Sequence, residues 1–148
     1  NALVLGAGGS ARSIVYALCN DGWIITIAAR RLEQAQQLTS SFTKYAIRTI
    51  DYVDLQPSTF DLIVNTTPLG MTPNIDQSPL SENATLSKRT KIYDLVYNPR
   101  ETKLVRDARS LGLSATTGLG MLIEQAALGF ELWTGKKLPS EVFRSAVE

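Results

Sequence analysis

An α/β fold with a doubly wound, mostly parallel sheet is what this sequence predicts, and three observations predict it. Short apolar runs alternate along the chain with stretches whose apolar residues recur at helical spacing, the pattern of a parallel sheet covered by helices on both faces. The first run, Ala2-Leu3-Val4-Leu5, feeds a glycine turn, Gly6-Ala7-Gly8-Gly9-Ser10-Ala11, that opens into an amphipathic stretch. The chain has 148 residues, 44% hydrophobic and 20% charged, the size and balance of a globular domain that can bury a core.

The elements follow in order. Ala2 to Leu5 is a buried strand. The next helix begins at Ser10, carries its apolar stripe on Ala11, Ile14, Val15, Leu18 and Cys19, and is stopped by Gly22. Trp23 to Ala28 reads as a second buried strand. Leu32, Ala35, Leu38 and Phe42 mark a second helix, with Glu33 favourably placed near its N-terminus. Ala46 to Ile50 is a short third strand, and Asp61 to Asn65 a fourth, introduced by Pro57 and Ser58. Pro68, Gly70, Pro73 and Pro79 make the stretch from Thr66 to Ser87 mainly loop. Lys91 to Val96 is the fifth strand. Leu104, Val105, Ala108 and Leu111 define a helix ended by Gly112, and Leu113 to Ala115 is a short sixth strand. Two helices close the chain, Leu119 to Trp133 and, after a turn through Gly135, Pro139 to Val147.

Composition narrows the function. A net charge of +1 offers no electrostatic case for nucleic acid or a membrane surface. No apolar run approaches a membrane span, and no signal peptide is present, so a cytoplasmic location is expected. The single Cys19 excludes an intrachain disulfide, and with no histidine at all no metal site is expected. Asn65-Thr66-Thr67 and Asn83-Ala84-Thr85 match glycosylation sequons by chance. Cys19 reads as core, Trp23 and Trp133 as packing anchors, and Lys136-Lys137 as a solvated turn. Because histidine is the commonest proton donor to a carbonyl, any acid here must be Tyr, Lys, Asp or Glu, or must come from elsewhere. The chain opens directly on its first strand, which reads as the edge of an excised domain.

The glycine turn points to a phosphate. A strand that enters a Gly-x-Gly-x-x-Ala turn and then a helix is the phosphate-binding start of a Rossmann-like domain. Gly6 permits the tight turn, Gly8 lets backbone approach a pyrophosphate, and Ala11 allows close helix–strand packing. A site for NAD usually ends its second strand on an Asp or Glu that binds the ribose hydroxyls. Here that strand ends Ala28-Ala29-Arg30-Arg31. No carboxylate stands where a 2′-phosphate would be repelled, and two guanidiniums stand where one can be gripped. As plain residues at a helix start, two arginines would oppose the helix dipole. The reading is NADP in preference to NAD.

Several separate strings together resemble the shikimate dehydrogenases. They are Gly6-Ala7-Gly8-Gly9-Ser10-Ala11-Arg12; Asn65-Thr66-Thr67-Pro68-Leu69-Gly70-Met71; the run Tyr93-Asp94-Leu95-Val96-Tyr97-Asn98-Pro99-Arg100-Glu101-Thr102; and Gly118-Leu119-Gly120-Met121-Leu122-Ile123-Glu124-Gln125-Ala126. Their order and spacing are similar to that family's cofactor half across nearly the whole chain. The resemblance implies a Rossmann-like NADP-binding domain over residues 1–117 and a C-terminal helical segment over 118–148. In the full enzyme that segment packs back toward an N-terminal substrate domain. It further implies that Gly6, Ala7, Gly8, Gly9 and Ser10 hold the pyrophosphate, and that Ala29, Arg30, Arg31 and Gln34 surround the adenosine phosphate. Asn65 and Thr66 lie beside the cofactor, and Leu95, Gly118 and Met121 line the nicotinamide pocket. Tyr97 and Gln125 are similar to that family's substrate-contacting positions. From the residues alone, Asn65-Thr66-Thr67-Pro68 is equally an Asx-type turn, Tyr97-Asn98-Pro99 a rigid turn, and Gln125 a packing or solvent-facing residue.

Two departures stand out. The family commonly has Asn-Arg-Thr after the second strand and another Arg three residues beyond; here the run is Ala29-Arg30-Arg31, then Gln34, so Arg31 stands in for the second arginine. Leu95 replaces a common methionine, a change that conserves volume. The implied reaction is reduction of 3-dehydroshikimate to shikimate with NADPH, in aromatic amino acid biosynthesis. A Lys–Asp pair in the preceding domain moves the proton, so no catalytic residue is expected in this chain; Lys103 is the local candidate, on a helix surface. The other readings are a quinate/shikimate dehydrogenase using NAD or NADP, a more distant relative such as glutamyl-tRNA reductase, and a nucleotide-binding module without chemistry.

Overall fold

All six strands form, and every pairing in the sheet is parallel, in the order β3-β2-β1-β4-β5-β6. A computed structural model describes residues 1–146. The strands are β1 (Ala2–Leu5), β2 (Ile25–Ala28), β3 (Ile47–Ile50), β4 (Leu62–Asn65), β5 (Lys91–Asp94) and β6 (Ala115–Thr117), interleaved with helices α1 (Gly9–Asn20), α2 (Leu32–Thr39), α3 (Lys103–Ser110), α4 (Leu119–Thr134) and α5 (Ser140–Ser145). Side chains on a strand alternate between faces. Along β1, Ala2 and Val4 therefore join one core with Ala11, Val15 and Leu18 of α1 and Leu38 of α2. Leu3 and Leu5 join the other, with Ile63, Ile92 and, from α3, Leu104 and Val105. Each such buried Leu, Ile or Val contributes about 1.5–3 kcal/mol of transfer free energy, so β1, covered on both faces, is the spine of the fold.

Several boundaries differ from those the pattern predicts, each for a local reason. β2 starts at Ile25, not Trp23: Ile24 is 70% exposed, and only its carbonyl is used, accepting from Ala2 N at 2.8 Å. α2 ends at Thr39, short of Phe42, which turns back by donating its N–H to the Thr39 carbonyl yet remains buried. β5 stops at Asp94 because the Val96 N–H goes to the Asp94 carboxylate, 3.0 Å, rather than into the ladder. The sixth strand lies two residues later than predicted, at Ala115–Thr117; Leu113 is buried but precedes it. Thr66 to Thr90 holds no helix or strand. Trp133 is no packing anchor, being 85% exposed, whereas Trp23 packs against the first core and donates its indole N–H to Asp21 at 2.8 Å. Cys19 is buried and free, as its helical position predicts.

At the C-terminal end, α4 and α5 meet through an edge-to-face contact of Phe130 and Phe143, centroids 6.0 Å apart, while Leu128 and Leu132 face outward with Trp133. The last helix is observed from Ser140; Val147 of the predicted helix lies outside the described residues. Among the described residues, no helix is long and apolar enough to cross a membrane, and no cluster of three or more acidic or cysteine side chains is arranged to hold a metal ion.

Candidate functional site

The strand order reverses between β1 and β4, and ligands of open α/β sheets bind in the crevice at that switch point, beyond the carboxyl ends of the strands. β1 and β4 pair with Leu5 opposite Asn65. The next residue on each strand, Gly6 and Thr66, therefore face one another across the crevice. Gly6 has φ +100°, and a Cβ there would lie 2.9 Å from Thr66 Oγ1 and 3.0 Å from Thr67 Cγ2. Only glycine serves both the backbone turn and the close approach. Thr66 is held in place by donating its hydroxyl to the Leu5 carbonyl at 2.7 Å.

A cleft of about 370 Å³ opens above this junction, lined by Gly6, Ala7 and Gly8 on one side and by Ala29, Arg30, Arg31 and Gln34 on another; Thr66 to Leu69, Tyr52 and Pro79 complete it. α1 starts at the cleft with Gly8 as its N-cap, no side-chain cap and no acidic residue in its first turn. Its first amide groups and the positive end of its dipole are thus left for an anion. Among the described residues, no Asp or Glu lines the cleft. Neither Arg30 nor Arg31 forms an ion pair among the described residues, whereas Arg89 and Arg109 do. Two exposed guanidiniums without a carboxylate partner, beside an uncapped helix N-terminus, are chemically suited to a phosphorylated ligand.

Of the residues expected to hold the cofactor, Gly6, Ala7, Gly8, Ala29, Arg30, Arg31, Gln34 and Thr66 line this cleft together. Gly9 and Ser10 lie in the first turn of α1, exposed and just outside the lining. Asn65 lies beneath the cleft, at the end of β4. Its side chain is fully buried and wholly engaged: Nδ2 donates to Asp94 Oδ1 at 2.8 Å, and Oδ1 accepts from Thr67 N at 2.9 Å and Thr67 Oγ1 at 2.7 Å. It holds the Thr66–Leu69 loop from beneath rather than offering its amide to the cleft.

The residues expected at the nicotinamide end lie apart from the lining of this cleft. Gly118 donates its N–H to Val96 O at 3.1 Å, and a Cβ on Gly118 would collide with the backbone of Leu95. Leu95 and Gly118 are thus packed together, with half-buried Met121 one turn into α4. Tyr97 is 44% exposed beyond the end of β5, and Gln125 is exposed on α4. Lys103 is engaged elsewhere, bonded to Asp107 at 2.7 Å and paired with Glu82 at 3.5 Å. Its hydrogen bond to Asp107 is the main cause that holds its pKa above the ordinary value.

Sequence reasoning missed Tyr52 and the Thr67–Leu69 stretch of the cleft wall. Tyr52 is the second residue beyond β3, just as Arg30 is the second beyond β2, and β2 pairs with β3 through Ala28 and Ile50. Counting past strand ends finds Tyr52 once the strand order is known. Its hydroxyl is buried without a hydrogen-bond partner among the described residues. Burial pushes the phenol up to about 12, although the Arg30 charge acts to lower it.

Comparison with known proteins agrees with this fold. Residues 1–108 match the family model for shikimate / quinate 5-dehydrogenase, and residues 118–148 that for the shikimate 5'-dehydrogenase C-terminal domain. A shikimate dehydrogenase (NADP(+)) of Methanococcus vannielii is 37% identical over 99% of this chain and 54% of its own length. A crystal structure of a shikimate dehydrogenase in complex with NADP+ superposes with a TM-score of 0.89 at 34% identity, over 99% of this chain and 53% of that one. The shikimate 5-dehydrogenase of Thermus thermophilus, solved with NADP(H) and shikimate, gives a TM-score of 0.82 at 34% identity, over 95% of this chain and 51% of that one. The chain spans about half the length of the curated relatives it matches. By the match over residues 1–108, the chain belongs to the shikimate / quinate 5-dehydrogenase family.

Proposed function

We propose that this chain is the cofactor-binding part of an NADP-dependent shikimate dehydrogenase, an oxidoreductase that reduces 3-dehydroshikimate to shikimate in aromatic amino acid biosynthesis, in the cytoplasm. One observation carries the reading: Arg30 and Arg31 stand without ion pairs among the described residues, on the wall of an acid-free cleft whose floor is the Gly6–Gly8 turn. Solved relatives with the same fold hold NADP+ or NADP(H), which supports it.

The cleft fits such a ligand by its own features. Gly6 keeps clear a space that any side chain would fill, and Gly8 and the uncapped start of α1 leave amides for a pyrophosphate, with Gly9 and Ser10 in the first helical turn. Ala29, Arg30, Arg31 and Gln34 enclose the adenosine phosphate. Thr66, held by the Leu5 carbonyl, and Asn65 beneath the same loop flank the middle of the cofactor, and Leu95, Gly118 and Met121 border its nicotinamide end. Tyr97 and Gln125 face the substrate. When bound, NADPH supplies the hydride. The residues of this chain orient the cofactor and exclude water from its edge. The proton donor belongs to a substrate domain outside these residues, carrying the Lys–Asp pair, and the segment 118–148 packs toward it through the outward apolar side chains of α4.

Fluorescence titration tests the reading. NADPH should bind at least about tenfold tighter than NADH, the scale of a charge-assisted hydrogen bond, and Arg30→Asp should reverse the order. Equal affinities for the two nucleotides would overturn it.

A further inference from the structure

We propose that the Tyr52 hydroxyl is a further specificity determinant of this cleft, donating a hydrogen bond to the same ribose phosphate that Arg30 grips. The inference rests on the NADP reading above and extends it to a residue outside every string that suggested that reading.

Three independent features converge on Tyr52. The first is register. β2 and β3 end side by side, Ala28 opposite Ile50, and Ala29 N donates to Ile50 O at 3.2 Å. Arg30 and Tyr52 are each two residues further on, so the parallel pairing carries both to the same edge of the sheet, where both line the cleft. The second is an unmet hydrogen bond. Tyr52 Oη is buried with no partner among the described residues, and native proteins rarely leave such an atom unsatisfied unless a ligand or water completes it. The third is rigidity. Tyr52 begins a short 3₁₀ turn, Tyr52–Asp54, whose N-cap Asp51 accepts from Val53 N at 3.1 Å. The backbone that carries the ring is therefore pinned, which limits the chain ordering needed on binding.

The chemistry selects the kind of partner. With its pKa near 12 the phenol stays protonated at neutral pH and is available as a donor. Arg30 is a donor only. A neutral O–H and a guanidinium that share a wall without bonding each other call for an acceptor that takes hydrogen bonds from both, and a phosphate oxygen does. An adenine edge or a ribose hydroxyl would use the phenol without using the guanidinium charge.

The test is Tyr52→Phe, which keeps the ring and removes the hydroxyl. NADPH and NADH are titrated against the wild type, Tyr52→Phe and Arg30→Asp, and the free proteins are melted. NADPH affinity of Tyr52→Phe should fall about tenfold with NADH unchanged, the size expected for losing a hydrogen bond to a charged group. The ligand-free Tm should not fall, because the lost hydroxyl bonded nothing in the described protein, and the NADPH-induced rise in Tm should shrink. Equal weakening of both nucleotides would move the hydroxyl to the adenosine and overturn the phosphate contact, and no change in either would overturn any role. If the wild type prefers NADPH and Arg30→Asp abolishes that preference while Tyr52→Phe does not, the NADP reading stands and Tyr52 falls. If the wild type shows no preference, the NADP reading has itself failed.

Discussion

Among single residues, the two glycines that matter are those with something built against them. Gly118 has ordinary backbone angles, φ −72°, so its requirement is purely spatial: any Cβ would run into the backbone of Leu95. Backbone cannot yield as a side chain can, and overpacking typically costs about 1–3 kcal/mol. Gly118→Ala should therefore lower unfolding stability by about that amount in a urea titration, and should disturb the Leu95–Gly118 contact before the Arg30 wall of the cleft. An unchanged midpoint would contradict the close approach. Gly6 was legible as a tight-turn glycine from its place after an apolar run. The need at Gly118 was not, because Leu95 lies far away along the chain. Asn65 makes the same point from the other side. A strand-end Asn followed by Thr-Thr-Pro suits a turn or a ligand equally, and what decides its role is the carboxylate of Asp94, brought beside it by the pairing of β4 with β5.

Between elements, the joint of β5 with α3 is organised by one buried carboxylate. Asp94 is fully buried and accepts from Asn65 Nδ2, Val96 N and Thr102 Oγ1, the last at 2.6 Å; Thr102 is also the N-cap of α3, accepting from Val105 N at 3.3 Å. A single side chain thus ties the end of β4, the end of β5 and the start of α3. Burial pushes its pKa above the ordinary 3.8, and the three hydrogen bonds pull it back. With the folded value raised, the native protein retains a proton that the unfolded chain releases above 3.8. The stability from this group is thus complete below that point and is lost as pH rises through the folded pKa. Asp94→Asn should flatten that part of the profile when chemical unfolding is followed upward from about pH 4; parallel profiles for the two proteins would refute the assignment. The existence and type of α3 and β5 were legible from periodicity and from Gly112. Their junction was not: the early stop of β5 comes from a side chain replacing the ladder, which no hydrophobic pattern records.

Across the molecule, the order β3-β2-β1-β4-β5-β6 places the switch in strand order at Gly6 and Thr66 and gathers eight of the expected cofactor contacts in one cleft at the carboxyl edge of the sheet. Among the described residues, no proton-transfer pair joins them there. The sequence has no histidine, Lys103 is tied to Asp107 and Glu82, and Asp94 is enclosed by its donors. The purified 148-residue chain is accordingly expected to bind nucleotide and to show no shikimate-dependent formation of NADPH by absorbance. Measurable turnover would place the acid–base chemistry within these residues and refute its assignment to another domain. The outward Leu128, Leu132 and Trp133 of α4 belong with this larger picture: their helical period made a helix legible, while their exposure became visible only once α4 was set against α5 and the sheet.

Everything encoded at short range could be read from the residues in order. The alternation of strand and helix, the glycine turn after β1 and the absence of a carboxylate after β2 each depend on neighbours within a turn or a strand, where the spacing of side chains is fixed by backbone geometry. Which distant residues meet had to wait for the folded chain. Gly6 needs Thr66, Gly118 needs Leu95, Asn65 needs Asp94, and Tyr52 stands beside Arg30. These pairings follow from strand order and register, and a parallel strand can reach its neighbour only through a crossover. The partners are therefore set by the path of the chain in space, and their spacing along the sequence carries no trace of it.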